Sequence, residues 1–322
     1  MIVLVAGGAG LLGSRVARRL RDRRDTVVVA DVFDDSGDGR AVKEARAEEL
    51  EALGAVVSRT DLTDFALTRE LFERHRPAAV LNAGTFDGEA LSNAALQAGI
   101  GFFLHLSAAA LYGPHADPGR RASEDEEIAP AGDAVLLRQA ADEARVAGLG
   151  LPYAILRVFD LVGPGLPIGR FPMEALEALL ANEDIYLPDD EPRDLVHVED
   201  AATGVVLALD RRPMGRIVNL GSGMGTRPRT LLEAMGREAG LTPRILFTGE
   251  AGRPRRIADM ENAWNVLGFA PRWGLSRMAT DVLSTRMAPR ESAAPVRRVS
   301  LPGPEAPKAV SRRELFDLFR RK

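Results

Sequence analysis

Gly7, Gly10 and Gly13 in GGAGLLG have the spacing of a turn from a strand into a helix. With no side chain in the way, a pyrophosphate can reach the helix N-terminus, with Leu11 and Leu12 completing the contact. Asp31 closes the next apolar run, TVVVAD, where a carboxylate can accept from both hydroxyls of an adenosine ribose. Together they ask for a dinucleotide, and the carboxylate favours NAD over a cofactor with a 2′-phosphate. The same residues also suit a plain helix-entry turn and a solvated strand end. Farther on, Asp61 and Leu62 in RTDLTD are placed to meet an adenine edge, while Thr63 or Asp64 caps the following helix. Asn82, Ala83 and Gly84 end a further strand beside the expected dinucleotide. His75, His105 and His115 share no metal-ligand spacing, so no metal site is read, and His197 in VHVED reads as a structural hydrogen-bonding residue.

The chain of 322 residues is 46% hydrophobic, enough to bury one large core or two modest ones. No window holds the run of about 18 apolar residues that a membrane span needs, and MIVLVAGG reads as a first strand rather than a signal. With no cysteine there is no disulfide framework, thiolate site or cysteine nucleophile, and the cytoplasm is expected. A net charge of −4 offers no basic field for nucleic acid.

The elements that must hold these residues alternate. IVLVAG, TVVVAD, AVVSRTDL, AAVLNAG and GFFLHLS read as strands between amphipathic stretches, AVLLRQAADEARVAG as the next helix, and LPYAILRVFDLVG as a sixth strand. Strand–helix alternation forces a parallel sheet covered on both faces, so an α/β doubly wound fold of Rossmann type is expected. From about residue 163 the pattern loosens into a helix, an acidic turn LPDDEP, a helix after HVED, a strand GRIVNLGSG and the helix RTLLEAMGREAG. Five prolines between Pro289 and Pro307 mark an extended arm, and SRRELFDLF after it opens on a Ser311–Glu314 capping box with Leu315 and Phe319 on one face.

Taken together, GGAGLLG, Asp31, DLTD, LSAAALYG, LPYAILRVFDLVGPG, PRDLVHVEDAA and NLGSG resemble the extended short-chain dehydrogenases, the NAD-dependent epimerase/dehydratase group, over about residues 1–283. The resemblance implies a Rossmann domain that binds NAD over residues 1–166, to which about 195–220 return. It implies a smaller substrate-binding lobe over 167–286, a nucleotide-sugar or related small-molecule ligand, and a homodimer through a four-helix interface or a heteromer with a related subunit; residues 287–322 are left as the arm and its helix. In that family the arginine of RDxVHV and a later Arg-Pro clamp the ligand's diphosphate. Here these are Arg193 and Arg253, whose guanidinium groups suit phosphate and also suit ordinary ion pairs. Asp160 stands where many sugar-nucleotide members carry asparagine, and its carboxylate repels phosphate unless an arginine offsets it.

The family's reaction also uses a tyrosine as acid or base, a lysine four residues later, and a serine or threonine that polarises the substrate oxygen. Matching LSAAALYG and VLLRQAADE to those motifs puts Ala108 at the hydroxyl, Val135 at the tyrosine, Gln139 at the lysine and Glu143 at a following glutamate. Ser107 precedes Ala108, and on a strand its side chain points to the opposite face. No shift of the alignment restores the pair. The lysines are Lys43, Lys308 and Lys322, and the residues four past Tyr112, Tyr153 and Tyr186 are Ala116, Arg157 and Asp190. The remaining polar candidates near the expected cleft are Tyr112, His105, His115, Asp133, Arg138 and Asp160. Two outcomes are compatible with this pattern: an enzyme whose site has been rebuilt, or a non-catalytic NAD- or ligand-binding subunit that stabilises or regulates a partner.

Overall fold

The computed structural model describes residues 1–35, 38–113, 120–130, 133–249 and 256–287; the arm and the SRRELFDLF segment lie outside them. In chain order the described strands are β1 (Ile2–Ala6), β2 (Thr26–Asp31), β3 (Val56–Arg59), β4 (Ala79–Asn82), β5 (Phe102–Ala108), β6 (Arg121–Ala122) and β7 (Tyr153–Val158). They continue as β8 (Asp160–Val162), β9 (Asp184–Leu187), β10 (Arg193–His197), β11 (Arg216–Leu220), β12 (Gly225–Thr226), β13 (Arg244–Phe247) and β14 (Ile257–Ala258). The α-helices are α1 (Leu11–Asp22), α2 (Arg40–Ala52), α3 (Phe65–His75), α4 (Glu89–Gln97), α5 (Ala134–Gly148), α6 (Met173–Leu180), α7 (Val198–Arg211), α8 (Pro228–Ala239) and α9 (Leu275–Met287).

Seven strands form one parallel sheet in the order β11-β7-β5-β4-β1-β2-β3. The valine and leucine runs of β1, β2, β4 and β5 are buried on both faces, which is why they read as continuous rather than alternating apolar segments. Val3, Val5, Val27, Val29, Leu81 and Leu104 face α1, α2 and α7 through Val16, Leu20, Leu50, Val205 and Leu209. Leu4, Val28, Val80 and Phe103 face α3, α4 and α5 through Leu71, Phe72, Leu91 and Val146. Order reverses between β1 and β4, the switch point at whose strand carboxyl ends sheets of this kind hold their ligands.

Within the compact unit Met1–Met287, a separate apolar cluster joins α6, α8 and α9 to β9 through Leu176, Leu179, Ile185, Leu231, Met235, Met278 and Val282. Two short sheets accompany it: β8-β10-β12, and β9 paired with β13. The expected sixth strand proves to be two. At Phe159 the backbone N–H turns to the Leu220 carbonyl (3.0 Å), the ring packs beside Tyr112, and the chain leaves the large sheet for β10. Strands β9 and β13 lie where the sequence reading assigns no element, β9 ending as the acidic turn LPDDEP begins.

Candidate functional site

The glycine turn links β1 to α1 under tight backbone constraint. Gly7 has φ +69°, and a Cβ there would lie 2.6 Å from Gly84 backbone atoms; a Cβ on Gly13 would lie 2.4 Å from the Gly7 carbonyl oxygen. Only glycine fits either position. Gly10 caps α1 without a side-chain bond and no acidic residue stands in the first turn, so the N–H groups around Leu11, Leu12 and Gly13 remain suited to an anion.

Asp31 ends β2 directly below this turn. Its Oδ2 accepts from the Ala9 N–H at 3.0 Å, and its Oδ1 lies 3.7 Å from the Lys43 Nζ. Burial pushes its carboxyl above the ordinary range, against the nearby Lys43 charge and the Ala9 bond. Val32, Asp34, Asp61, Leu62, Thr63 and Phe86 line an adjoining cavity of about 260 Å³, which brings the RTDLTD residues to the Asp31 side of the switch point. Asp61 Oδ1 accepts from the Thr63 N–H and hydroxyl (2.9 and 2.7 Å), bonds that hold its carboxyl below the usual range, and Asp64 caps α3. Asn82 is buried: its Oδ1 accepts from the Gly84 N–H at 3.2 Å and its amide nitrogen meets His105 Nδ1 at 3.2 Å. The Ala83 N–H donates to Ala6, and the Phe86 ring covers Gly84. Lys43 and Phe86 escaped sequence reading, since neither belongs to a local motif.

Two arginines hold a second loop against the turn. Arg46 of α2 donates to the carbonyls of Ala9 (3.2 Å) and Gly165 (3.0 Å) and pairs with Asp38. Arg15 of α1 bonds the Pro164 carbonyl (3.0 Å) and, with Arg19, Glu199 of α7 (2.8 and 2.7 Å).

The positions matched from the sequence to the family's reagents lie at the end of β5 and the start of α5. Ala108 is half-buried at the end of β5, Val135 is 44% exposed in the first turn of α5, and Gln139 is half-buried one turn on. Asp133 caps the helix by accepting from the Val135 N–H (2.8 Å). Asp160 is exposed and Arg138 half-buried, whereas Ser107, His105 and Tyr112 are turned away from solvent. Ser107 is 4% exposed, its Oγ without a partner among the described residues. Burial pushes His105 down to about 4, so its imidazole is neutral at pH 7. Tyr112 is core: its hydroxyl donates to Asn219 (2.7 Å), the Arg157 guanidinium lies 4.8 Å from its ring centre, and burial lifts its pKa to about 12 despite that neighbour. A phenol so held is poorly suited to exchange protons at neutral pH.

Arg193 opens β10 with its guanidinium over the Phe171 ring at 4.5 Å. The register Leu195↔Asp160 puts exposed Asp160 on the same side of the β8–β10 pair as Arg193, two residues along. Asp194, the next residue, accepts from Ser222 N–H and hydroxyl (both 2.6 Å), Gly223 N–H (2.9 Å) and Ala258 N–H (3.0 Å), fixing β10 in place. His197 caps α7 through Nδ1, reaches Asp281 through Nε2 at 3.0 Å and stacks on Trp273 at 3.6 Å. Arg253 and His115 lie outside the described residues.

The model of the NAD dependent epimerase/dehydratase family matches residues 3–93 and 87–221. The chain belongs to that family. Among its relatives, a UDP-glucose 4-epimerase of Rhizobium meliloti (strain 1021) is 27% identical over 318 residues, covering 85% of this chain and 93% of the relative. A dTDP-glucose 4,6-dehydratase of Actinoplanes sp. is 29% identical over 308 residues, covering 84% and 93%. In fold, a UDP-glucuronic acid 4-epimerase from Bacillus cereus in complex with UDP-glucuronic acid and NAD superposes with a TM-score of 0.78 at 19% identity, covering 88% of this chain and 98% of that one. Epimerases and a dehydratase thus stand at similar distance from this family member, which is why its own residues must carry the reading of its chemistry. Among the described residues no helix is long and apolar enough to cross a membrane.

Proposed function

We propose that the protein binds NAD, with the pyrophosphate at Gly7, Gly10, Leu11, Leu12 and Gly13, the adenosine ribose on Asp31, and the adenine beside Asp61 and Leu62. The glycine positions that a Cβ would fill, and a carboxylate below the same turn, fit this group. Asn82, Ala83 and Gly84 stand on the opposite side of the same switch point. NAD supplies a hydride acceptor; the chain's residues supply binding and orientation.

We further propose an atypical enzyme acting on a nucleotide sugar or a related small metabolite, whose proton passes by way of water, the ligand itself or a side chain other than the usual Tyr/Lys pair. One observation supports this: the glycine cradle keeps its tight backbone geometry in a chain that carries Ala108, Val135 and Gln139 at the positions read as the reagents'. Arg193 and Arg253 are read as the ligand's diphosphate clamp and the cytoplasm as its place of work. The burial of Ser107, His105 and Tyr112 favours a second reading, a subunit that binds NAD and ligand without turnover and acts on a partner.

Titration with NAD and NADP tests the first step. NAD should bind more tightly and Asp31→Ala should remove the preference; equal or absent binding of both would overturn it. Thermal shift with UDP- and dTDP-sugars tests the second. Stabilisation by one of them should be lost on replacing both Arg193 and Arg253 by Ala, and stabilisation by none would point to another ligand class. Product formation from the stabilising sugar separates enzyme from binding subunit.

A further inference from the structure

Asp31 faces a difficulty that the glycine turn does not solve. Its side chain is 8% exposed, and a buried carboxylate tends to take up a proton and so to lose acceptor capacity. Oδ2 already accepts from the Ala9 N–H, so Oδ1, on the Lys43 side, is the oxygen with more capacity left for a ribose hydroxyl. Lys43 of α2, 9% exposed, brings its ammonium to 3.7 Å from that oxygen. It is held there by the Val32 carbonyl at 3.0 Å and Asp34 Oδ1 at 2.8 Å.

At 3.7 Å, beyond ordinary hydrogen-bond length, the ammonium acts on Oδ1 chiefly through its charge. An arginine would not do the same, because its planar fork seeks two-point contact with a carboxylate. The chain is rich in arginine and has only three lysines, yet it places one of them here. Apart from Asp34, which shares the Lys43 ammonium, the other charged groups described around Asp31 are engaged elsewhere. Arg59, its register partner on β3, turns to Glu44 and Glu51; Arg46 pairs with Asp38; Asp61 is bound by Thr63.

We propose that Lys43 is a positioning residue of the cofactor site, which keeps Asp31 ionised and its outer oxygen open to the adenosine ribose. The inference rests on reading Asp31 as the ribose acceptor. Once the cation is gone, the buried carboxyl titrates closer to neutrality, and only its ionised form offers full acceptor capacity. Binding should then strengthen as pH rises.

The test is the NAD dissociation constant, measured by calorimetry from pH 5.5 to 8.5, for wild type, Lys43→Met, Lys43→Gln and Lys43→Arg, each with its melting temperature. Wild type should bind NAD with little pH dependence above pH 6. Lys43→Met and Lys43→Gln should bind at least tenfold more weakly at pH 6.5 and recover part of that loss by pH 8.5. Lys43→Arg should bind more weakly with a flat profile, because it keeps the charge and blocks the oxygen. If the neutral variants bind within twofold of wild type, or lose the same factor at every pH, Lys43 does not act through Asp31. An arginine variant as tight as wild type overturns the requirement for an open oxygen. A wild type that binds no NAD overturns the cofactor reading and this inference with it, whereas wild-type binding with unchanged Lys43 variants overturns the inference alone. The Gln variant preserves the test if the Met variant fails to fold.

Discussion

Glu143 of α5 and Arg157 of β7 form a two-point ion pair, with Nε–Oε1 at 3.1 Å and Nη2–Oε2 at 2.8 Å, both side chains nearly inaccessible. Burial works against the Arg157 charge, and the bonds and charge of Glu143 more than offset it. The pair anchors α5 to the sheet one turn beyond Gln139. Glu143→Gln should cost about 3–5 kcal/mol in urea denaturation, because it strands a buried cation. Glu143→Leu combined with Arg157→Met should cost clearly less than the sum of the two single changes. Additive losses would show that the two side chains are not coupled.

Restoring the family's reagents is the sharpest probe of the site. If Ala108, Val135 and Gln139 are its only chemical defects, Ala108→Ser, Val135→Tyr and Gln139→Lys together should create slow nicotinamide reduction on a bound nucleotide sugar. Each change alone should do little, since such groups act as a unit. A pocket rebuilt for another reaction should instead lose native activity to the added bulk and charge. Absorbance of the reduced nicotinamide follows both cases, and rapid turnover by the wild type through the usual route would refute the reading of Val135.

His105 gives the fold a pH dependence whose sign is fixed. Burial lowers its folded value to about 4 against 6.5 for the free side chain, so between those values the unfolded chain binds the extra proton. Its contribution is complete above pH 6.5 and is lost as pH falls towards 4, by roughly 3 kcal/mol in all. Denaturation midpoints should fall over that window in the wild type and fall less in His105→Gln. Equal slopes would place the dependence elsewhere.

Leu137, Ala141 and Ala144 lie at i, i+4 and i+7 on the outer face of α5, with Leu137 51% exposed. This apolar stripe supports self-association through α5. Leu137→Arg should reduce the mass seen by light scattering to that of one chain while leaving NAD binding intact. A wild type that is already monomeric would remove the proposal.

The parts of this molecule legible in its sequence are those set by local sterics. Gly7 and Gly13 announce themselves because nothing larger fits, and Asp31 stands where a strand must end beside them. The alternation of apolar runs likewise gave the sheet, since β1, β2, β4 and β5 are buried on both faces. Contacts between distant segments were opaque. The break at Phe159 depends on the Leu220 carbonyl; the role of Lys43 depends on how α2 lies against β2. Tyr112 looked like a reagent because a hydroxyl shows in the sequence while its burial against Arg157 and Asn219 does not.

Arg46 touches three segments at once: the glycine turn at Ala9, the loop after β2 at Asp38, and the loop after β8 at Gly165. Any outward swing of residues 163–166 must therefore either rupture those bonds or drag the phosphate cradle with it. The loop that leads into the second apolar cluster and the floor beneath the dinucleotide behave as a single mechanical part. If a ligand in that lobe tightens the grip on the dinucleotide by some factor, the dinucleotide must tighten the grip on the ligand by the same factor.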